Sequence, residues 1–465
     1  MTLDRPYFFC GIGGSGMLPL ALILRGKGVA VSGSDRALDQ GRTAQKFEFL
    51  RKSGIALFPQ DGSGVTDPNA IVVASAAVED TVPDLAAARA LGATLMVRAE
   101  LLADLFNEAD HSIGVAGTSG KSTTTGMIGW ILSAVGRDPT IMNGAVMKNF
   151  ATPDAPFASA LVGKSDIFVS EVDESDGSIA RYRPTFAVVN NIALDHKTMD
   201  ELCALFEIFA AKADIAILNL DNSETAVLAA KTRRGKTITY SLGNPKADFA
   251  ASNITPVPDG ILFDIRTKDE TAHLHLKVPG RHNAANALAA LAAVSALDVP
   301  LMQAAEALGR FTGVKRRMDV VGTANGITVI DDFAHNPDKI AATLATLHDF
   351  PGPLLLMFQP HGYGPLRLMK DQFIACFAQN MHGEDVLLMP EPVYFGGTTD
   401  RSVSSGDIVE GVRKAGLQAF ALESRAQCGV KLLELVKQGD RIVIMGARDD
   451  TLSVFAADLL ARLRS

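Results

Sequence analysis

The chain has only four cysteines among its 465 residues, Cys10, Cys203, Cys376 and Cys428, and no two of them form a CxxC pair. That excludes a disulfide-stapled scaffold and offers no zinc-binding spacing, so four buried free thiols are expected. Basic charge is also scarce: 44 Lys and Arg stand against 52 Asp and Glu, for a net charge of -8. A phosphate-backbone surface needs a positive field over one face, so nucleic acid is not an expected partner, and any anionic ligand must meet local donors. No apolar run approaches the roughly 18 residues of a membrane span. The opening MTLDRPYFFC carries no basic segment followed by a cleavable apolar stretch. The expected setting is the cytoplasm, with no membrane partner. Low-complexity tracts are missing too, and a composition of 47% hydrophobic and 21% charged residues describes a well-packed protein.

A single core stops growing at about 250 to 300 residues, so this length calls for two or three domains. Residues 6–10 form an apolar run that passes into Gly11-Ile12-Gly13-Gly14-Ser15-Gly16 and then into a helical stretch from Met17. A strand is expected from Gly28 to Ser32, running out at Ser34 and Asp35, with another over 71–77 and a helix over 84–91. The alternation restarts at Ser112, with strands expected at 166–172, 186–192 and 215–219, a hairpin over 260–278, and an Ala-rich helix from Asn283 to Leu297. It restarts once more after Gly313-Val314-Lys315-Arg316-Arg317, with strands at 327–331, 353–358, 385–389 and 441–445. Strand and helix alternating in this way predict parallel sheets wound by helices. The expected fold is therefore α/β in three domains, 1–107, 108–316 and 317–465, joined by short hinges about which closure can exclude water.

The segment Gly117-Thr118-Ser119-Gly120-Lys121-Ser122-Thr123 carries the most specific chemistry. Glycines let backbone N–H groups turn toward phosphate oxygens, and the following helix presents its positive end. Lys121 can then reach the β- and γ-phosphates and Ser122 can ligate magnesium. The full GxxxxGK[ST] pattern needs glycine at 115, where Val115 stands, so the loop is a variant. A Gly/Ser/Thr turn can precede a helix without binding anything, but a buried strand before it and a helix after it favour phosphate. Ser170-Glu171-Val172-Asp173-Glu174-Ser175-Asp176 follows the apolar Ile167-Phe168-Val169, and Asp195-His196 follows a second apolar run. Either alone reads as a solvated loop or an ordinary polar residue. Together they put oxygen ligands and a histidine at strand ends, where α/β sheets bind ligands and where magnesium shares ligands with phosphates.

The first loop leaves two readings open. Gly11, Gly13 and Gly16 satisfy GxGxxG, and Asp35 lies about as far onward as a ribose-binding acid should. A nicotinamide-dependent dehydrogenase fits that, and so does any protein that holds a diphosphate on backbone N–H groups. A non-catalytic nucleotide-binding module is the third class, but it has no need of both metal motifs.

With these segments in place the chain resembles the Mur ligases. The carrying stretches are GIGGSGM at 11–17, VSGSD at 31–35, RAELLADL at 98–105, GVAGTSGKSTTT at 114–125, EVDESDGS at 171–178 and DH at 195–196. They continue with RHNAANALAA at 281–290, GVKRRM at 313–318, DDFAHNP at 331–337, FQPH at 358–361 and MGARD at 445–449. The resemblance implies a Rossmann-like UDP-binding domain, a central P-loop ATPase-like domain and a C-terminal Rossmann-like domain for the amine. It implies an ATP- and Mg2+-dependent ligase, monomer or homodimer, joining the carboxylate of UDP-N-acetylmuramate to an amino acid or short peptide through an acyl phosphate. By the same resemblance Lys121 and Arg317 hold phosphates, Ser122 and Glu171 one magnesium, and His196 a second. His282, Asn283 and Asn286 lie by adenine, and Asp332 and His335 face the nucleotide. Gly13, Gly14, Ser15, Gly16, Ser34, Asp35, Ser75 and Arg98 serve the UDP-sugar, and His361 and Arg367 the amine. In this reading the first loop holds the UDP diphosphate. Two departures stand out: Ser119 and Ser122 replace the family's usual histidine and threonine, and Gly362-Tyr363-Gly364-Pro365-Leu366-Arg367 replaces a stretch with several arginines. The amine therefore stays open between L-alanine, a larger amino acid and a peptide.

Overall fold

The computed structural model describes residues 3–75, 78–194, 197–232, 237–257, 260–392, 401–447, 449 and 451–464. The chain forms two compact units. The first comprises the residues up to Thr255 with Ile261–Lys277 and His282–Val314. The second comprises Pro256–Gly260, Val278–Arg281 and the chain from Lys315 onward.

The first unit carries two sheets. Its N-terminal sheet has five parallel strands in the order Ala56–Phe58, Val31–Ser34, Tyr7–Cys10, Ile71–Ala74, Thr94–Val97. Tyr7–Cys10 lies at the centre and is buried throughout, as an unbroken apolar run should be in a sheet covered on both faces. The second strand starts three residues later than the sequence suggests. Gly28 takes a left-handed φ of +85° and ends the preceding helix, so the strand opens only at Val31.

The larger sheet runs Thr271–Leu276, Gly260–Arg266, Phe249–Val257, Thr237–Ser241, Ile215–Asn219, Phe186–Val189, His111–Ala116, Ile167–Glu171, Thr140–Met142, Ala160–Leu161. Its centre is parallel, Gly260–Arg266 and Thr271–Leu276 form the expected antiparallel hairpin, and the Ala-rich helix spans Arg281–Ser295. The chain does restart at a new strand, His111–Ala116, but the two sheets share one core. Phe106, at the end of the helix Arg98–Asn107, packs edge-on against Phe168 and Tyr182 with centroids 6.0 and 5.2 Å away. Apolar contacts continue from Leu20 and Leu24 through to Phe206 and Leu218. Burial of that size explains why these two sheets form one compact unit.

The second unit holds six strands in the order Asp319–Ala324, Ile327–Asp332, Arg441–Gly446, Leu354–Gln359, Val386–Pro390, Gln418–Leu422, parallel except for the first pair. The α/β reading thus holds for all three sheets. Of the thiols, Cys10, Cys376 and Cys428 are buried, whereas Cys203 is only partly so. It lies on the helix Met199–Ala211, where its sulfur reaches the Glu224 carboxylate at 3.5 Å.

Gly33 shows how tightly the first sheet is drawn. It pairs with Phe9 in register, and a Cβ there would lie 2.5 Å from the Phe9 carbonyl oxygen and 2.9 Å from Ile12. Backbone cannot move aside as a flexible side chain can. Gly33→Ala is therefore expected to destabilise the first unit by about 1 to 3 kcal/mol, the usual range for overpacking. The lowest-temperature transition in calorimetry should fall; an unchanged melt would contradict this packing.

Candidate active site

The loop between the strand His111–Ala116 and the helix Lys121–Ala134 is shaped by two glycines and two asparagines. Gly117 and Gly120 have φ of +135° and +84°. Gly120 is also approached by Asn286 Oδ1, which would stand 2.5 Å from a Cβ, so both conformation and space require glycine. The same contact brings the start of the helix Arg281–Ser295 to the loop, with Asn286 donating to Asn283 Oδ1 at 3.1 Å and His282 exposed beside them. Asn191 follows the strand Phe186–Val189. Its backbone oxygen accepts from Thr118 N, its Oδ1 accepts from Ser119 N at 2.9 Å, and its Nδ2 donates to the Ser119 carbonyl at 3.1 Å. Asn190 donates to Thr124 Oγ1 at 3.0 Å. The helix has no side-chain cap, so its first turn, Lys121 to Thr123, presents uncapped N–H groups and a positive dipole end.

Lys121 and Ser122 each face an acid. Ser122 Oγ donates to Glu171 Oε2 at 2.8 Å, while the Gly144 N–H donates to Glu171 Oε1. A hydroxyl and a carboxylate side by side form a hard-oxygen donor pair of the kind magnesium takes. Among the described residues no three His, Cys, Asp or Glu side chains converge as a complete metal cage, and magnesium rarely needs one when phosphates supply further oxygens. His196 lies outside the described residues, as does Asp195. Lys121 Nζ donates to the Gly117 carbonyl at 2.6 Å and to both oxygens of Glu174 at 3.1 and 2.9 Å. Glu174 is 4% exposed, and burial raises its pKa, with Lys121 pulling the other way. The remaining acids of the run are spent locally: Asp173 accepts from Ser175 N and Asp176 from Ser178 N, each closing a turn.

The first glycine loop lies in the same unit. Gly11 and Ile12 N–H groups bond the Ser34 carbonyl, and Gly13 N–H donates to Asp35 Oδ2 at 2.8 Å. Asp35 Oδ1 accepts from Ala37 N and caps the next short helix. The carboxylate thus shapes the loop. Ser34 is buried and donates to Asp84, whereas Gly14 and Ser15 are exposed at the start of an uncapped helix. Ser75 is half-buried just beyond the strand Ile71–Ala74. Arg98 packs against Gly16, its Cδ 3.1 Å from where a Cβ would be, and its guanidinium stands 4.0 Å from Asp176. The residues expected near the sugar and the acid loop are therefore neighbours through Arg98.

In the second unit, Arg316 and Arg317 both stack on Phe333, with guanidinium carbons 5.1 and 4.5 Å from its centroid. Arg316, at φ +61°, donates to the Gly446 and Asp449 carbonyls and stands 3.5 Å from Asp331. Burial pushes Asp331 up to about 6 in spite of that arginine. Asp332 accepts from Met318 N, Ala334 N and Thr343 Oγ1, so it organises the 331–337 turn. His335 contacts the Phe333 carbonyl through Nδ1 at 2.9 Å and meets His361 edge-on at 5.4 Å. Burial, aided by Lys339, lowers its pKa to about 4. Arg367 is exposed on the short helix Tyr363–Leu368 and lines a shallow cavity of about 370 Å³ with Lys370, Asp371 and Gln372.

Sequence reasoning marked Glu174 only as one of the acid run and did not mark Asn143, whose Nδ2 donates to the Ser122 carbonyl at 2.8 Å, nor Gly144, Asn190 or Asn191, as parts of the loop's surroundings. It also missed Arg401, whose guanidinium lies 5.4 Å from the Tyr363 ring. An NG pair after a strand was the one visible signal for Gly144; the others are common residues given meaning by strand order.

Comparison with known proteins matches three consecutive regions. The Mur ligase family, catalytic domain, matches 6–109; the Mur ligase middle domain matches 115–294; and the Mur ligase, glutamate ligase domain, matches 316–448. A UDP-N-acetylmuramate–L-alanine ligase of Caulobacter sp. (strain K31) is 34% identical over 462 residues, covering 96% of this chain and 94% of that protein. One from Desulfosudis oleivorans is 33% identical over 454 residues, covering 95% of each. Among solved structures, the UDP-N-acetylmuramate–alanine ligase of Thermotoga maritima superposes with a TM-score of 0.79 at 24% identity over 98% of both chains. A murein peptide ligase from Psychrobacter arcticus 273-4 gives 0.70 at 25% identity over 99% of both.

Two outcomes test this geometry. Gly120→Ala should cost about 1 kcal/mol for the left-handed φ alone and displace Asn286 besides. The Mg·ATP-induced rise in melting temperature should then shrink or vanish, and a full-sized rise would rule the packing out. With a pKa near 4, the His335 ring should show no NMR titration between about pH 5.5 and 8.

Proposed function

The chain belongs to the Mur ligase family of ATP-dependent, ADP-forming amide ligases, and we propose that it joins the carboxylate of UDP-N-acetylmuramate to an amino acid, L-alanine first, in making peptidoglycan precursors. The single observation that carries the reading is the uncapped helix at Lys121, with Ser122 and Glu171 paired 2.8 Å apart at its first turn. The relatives from Caulobacter and Desulfosudis, which match nearly the whole chain, support the choice of acid and amine. We assign the enzyme to the cytoplasm, where ATP and nucleotide sugars are held. Among the described residues no helix is long and apolar enough to cross a membrane.

A carboxylate and an amine do not condense unaided at neutral pH, because the carboxylate has no leaving group. Transfer of the γ-phosphoryl group to the carboxylate oxygen makes an acyl phosphate, and the amine then attacks the acyl carbon and expels phosphate. In-line phosphoryl transfer calls chiefly for positioning and charge neutralisation. Lys121 supplies positive charge to the phosphates, and the N–H groups of the 117–123 turn add fixed dipoles; Arg317 is assigned to phosphate by resemblance alone. Ser122 and Glu171 would hold magnesium, which when bound screens the charge on the phosphate oxygens. His196 is assigned to a second magnesium by resemblance alone. Asn283, Asn286 and His282 are assigned to adenine, with Asp332 shaping the turn that carries His335. The first glycine loop and Arg98 are assigned to the UDP-sugar, with Ser15 exposed at a helix start, while the Gly14 N–H closes the turn onto the Gly11 carbonyl. No side chain need act as nucleophile.

His361, Arg367 and the 362–366 stretch are assigned to the amine. That stretch favours a second reading, in which the amine is a short peptide such as the tripeptide L-alanyl-γ-D-glutamyl-diaminopimelate. ADP release is to be measured with UDP-N-acetylmuramate against a panel of amino acids and short peptides, with product mass. Turnover is expected with L-alanine; turnover only with peptides selects the second reading, and none with any amine defeats both. Lys121→Ala should lower amine-dependent ADP release by roughly 10²-fold or more, and a variant that kept the activity would remove the assigned ATP site.

A further inference from the structure

A lysine ammonium has three N–H donors and no acceptor. At Lys121 all three have protein partners: the Gly117 carbonyl at 2.6 Å and the Glu174 oxygens at 3.1 and 2.9 Å. The pair is largely out of solvent, with 20% of the Lys121 side chain and 6% of the Glu174 side chain exposed. A phosphate can therefore be gripped by this ammonium only in exchange for one of these partners. The Gly117 carbonyl belongs to the loop itself and moves with it. Glu174 sits on a different segment, three residues beyond Glu171, in a run whose other acids are turned to Gly144, Ser122, Ser175 and Ser178. It is the one carboxylate of the run bonded to the lysine.

We propose that Glu174 is an exchangeable counter-ion for Lys121, holding the ammonium until nucleotide phosphates take it over and competing with them for it afterwards. Nothing in the magnesium pair requires it, since Ser122 and Glu171 meet without it. Competition of this kind weakens nucleotide binding, because part of the lysine's attraction must first be withdrawn from a partner of opposite charge. It also helps ADP leave, because the carboxylate reoccupies the ammonium as the phosphate withdraws. Removing the carboxylate strips a largely buried cation of its hydrogen-bonded counter-charge, a costly arrangement that bound phosphates relieve. The variant should thus be less stable alone and bind nucleotide more tightly.

This inference rests on the ATP-site reading of the 117–122 loop, and the experiment separates the two. Mg·ADP binding is measured by calorimetry for wild type, Glu174→Gln, Lys121→Ala and the double variant, with melting temperatures for each. Glu174→Gln is expected to lower the Kd roughly tenfold, equivalent to about 1.4 kcal/mol, and to melt lower alone but gain more from Mg·ADP than wild type. In the Lys121→Ala background the same change should leave the Kd nearly unaltered, since the interaction it removes is already gone. If Glu174→Gln is too unstable to isolate, Glu174→Asp, with a carboxylate one methylene short, should tighten binding by a smaller factor. Wild-type protein that fails to bind Mg·ADP would overturn the ATP site itself. Wild-type binding together with unchanged or weaker binding in the Glu174 variants overturns the exchange role and leaves the ATP site standing.

Discussion

The site depends on one constraint, the tethering of the Gly117–Lys121 loop by the asparagines that follow the neighbouring strand. Asn191 holds both backbone groups of Ser119, and Asn190 reaches Thr124 on the helix. Asn190 is itself held: Asn219, from the next strand, donates to its carbonyl at 3.0 Å, and the buried Tyr240 hydroxyl lies 3.4 Å from its Oδ1. Three adjacent strand ends are thereby linked in one polar network. A satisfied network of this kind rigidifies what it touches. With the loop held, Gly120 can keep its left-handed φ against Asn286, and the helix start is aimed without a cap. The same tether bears on Ser119, which replaces the histidine usual in the family. Its backbone groups and hydroxyl are all turned to Asn191, so the position keeps a structural part without an imidazole.

What the sequence disclosed was what is local. A buried strand, a glycine turn and a helix occupy consecutive residues, so both glycine loops and the strands that feed them could be read directly. Ser122 and Glu171 lay within motifs for the same reason. Partners set by strand order could not be read. The strand His111–Ala116 pairs with Phe186–Val189 on one side and Ile167–Glu171 on the other, and Thr140–Met142 lies beyond the latter. That order brings Asn191 and Gly144 to the loop from separate segments, and it decides that Glu174, of all the acids in its run, is the one turned onto Lys121.

Spacing misleads where one residue type serves two purposes. Asp35 lies where a ribose-binding acid would, yet both its oxygens bond backbone N–H groups, at Gly13 and Ala37. Asp332 likewise spends its carboxylate on Met318, Ala334 and Thr343. Such carboxylates matter to a site by holding its backbone in place. The shared core of the first unit is a further feature that alternation could not reveal, since Phe106 and Phe168 are far apart in the chain and their contact follows from packing alone.

The stretch after His361 differs from the family's arginine-bearing pattern in more than charge. Gly362 has φ +150°, outside the range side chains readily take, and Gly364 and Pro365 enter the short helix that follows at once. An arginine placed at 362 would meet backbone strain before it met any substrate. Placing an arginine at 362 would therefore require a change of backbone route as well as of charge. What this stretch presents instead is the Tyr363 ring with Arg401 over it, and Arg367 exposed on the same helix. Under the proposed assignment of this stretch to the amine, recognition would turn on an aromatic face and two separated cations, a surface whose selectivity depends on shape as much as on carboxylate pairing.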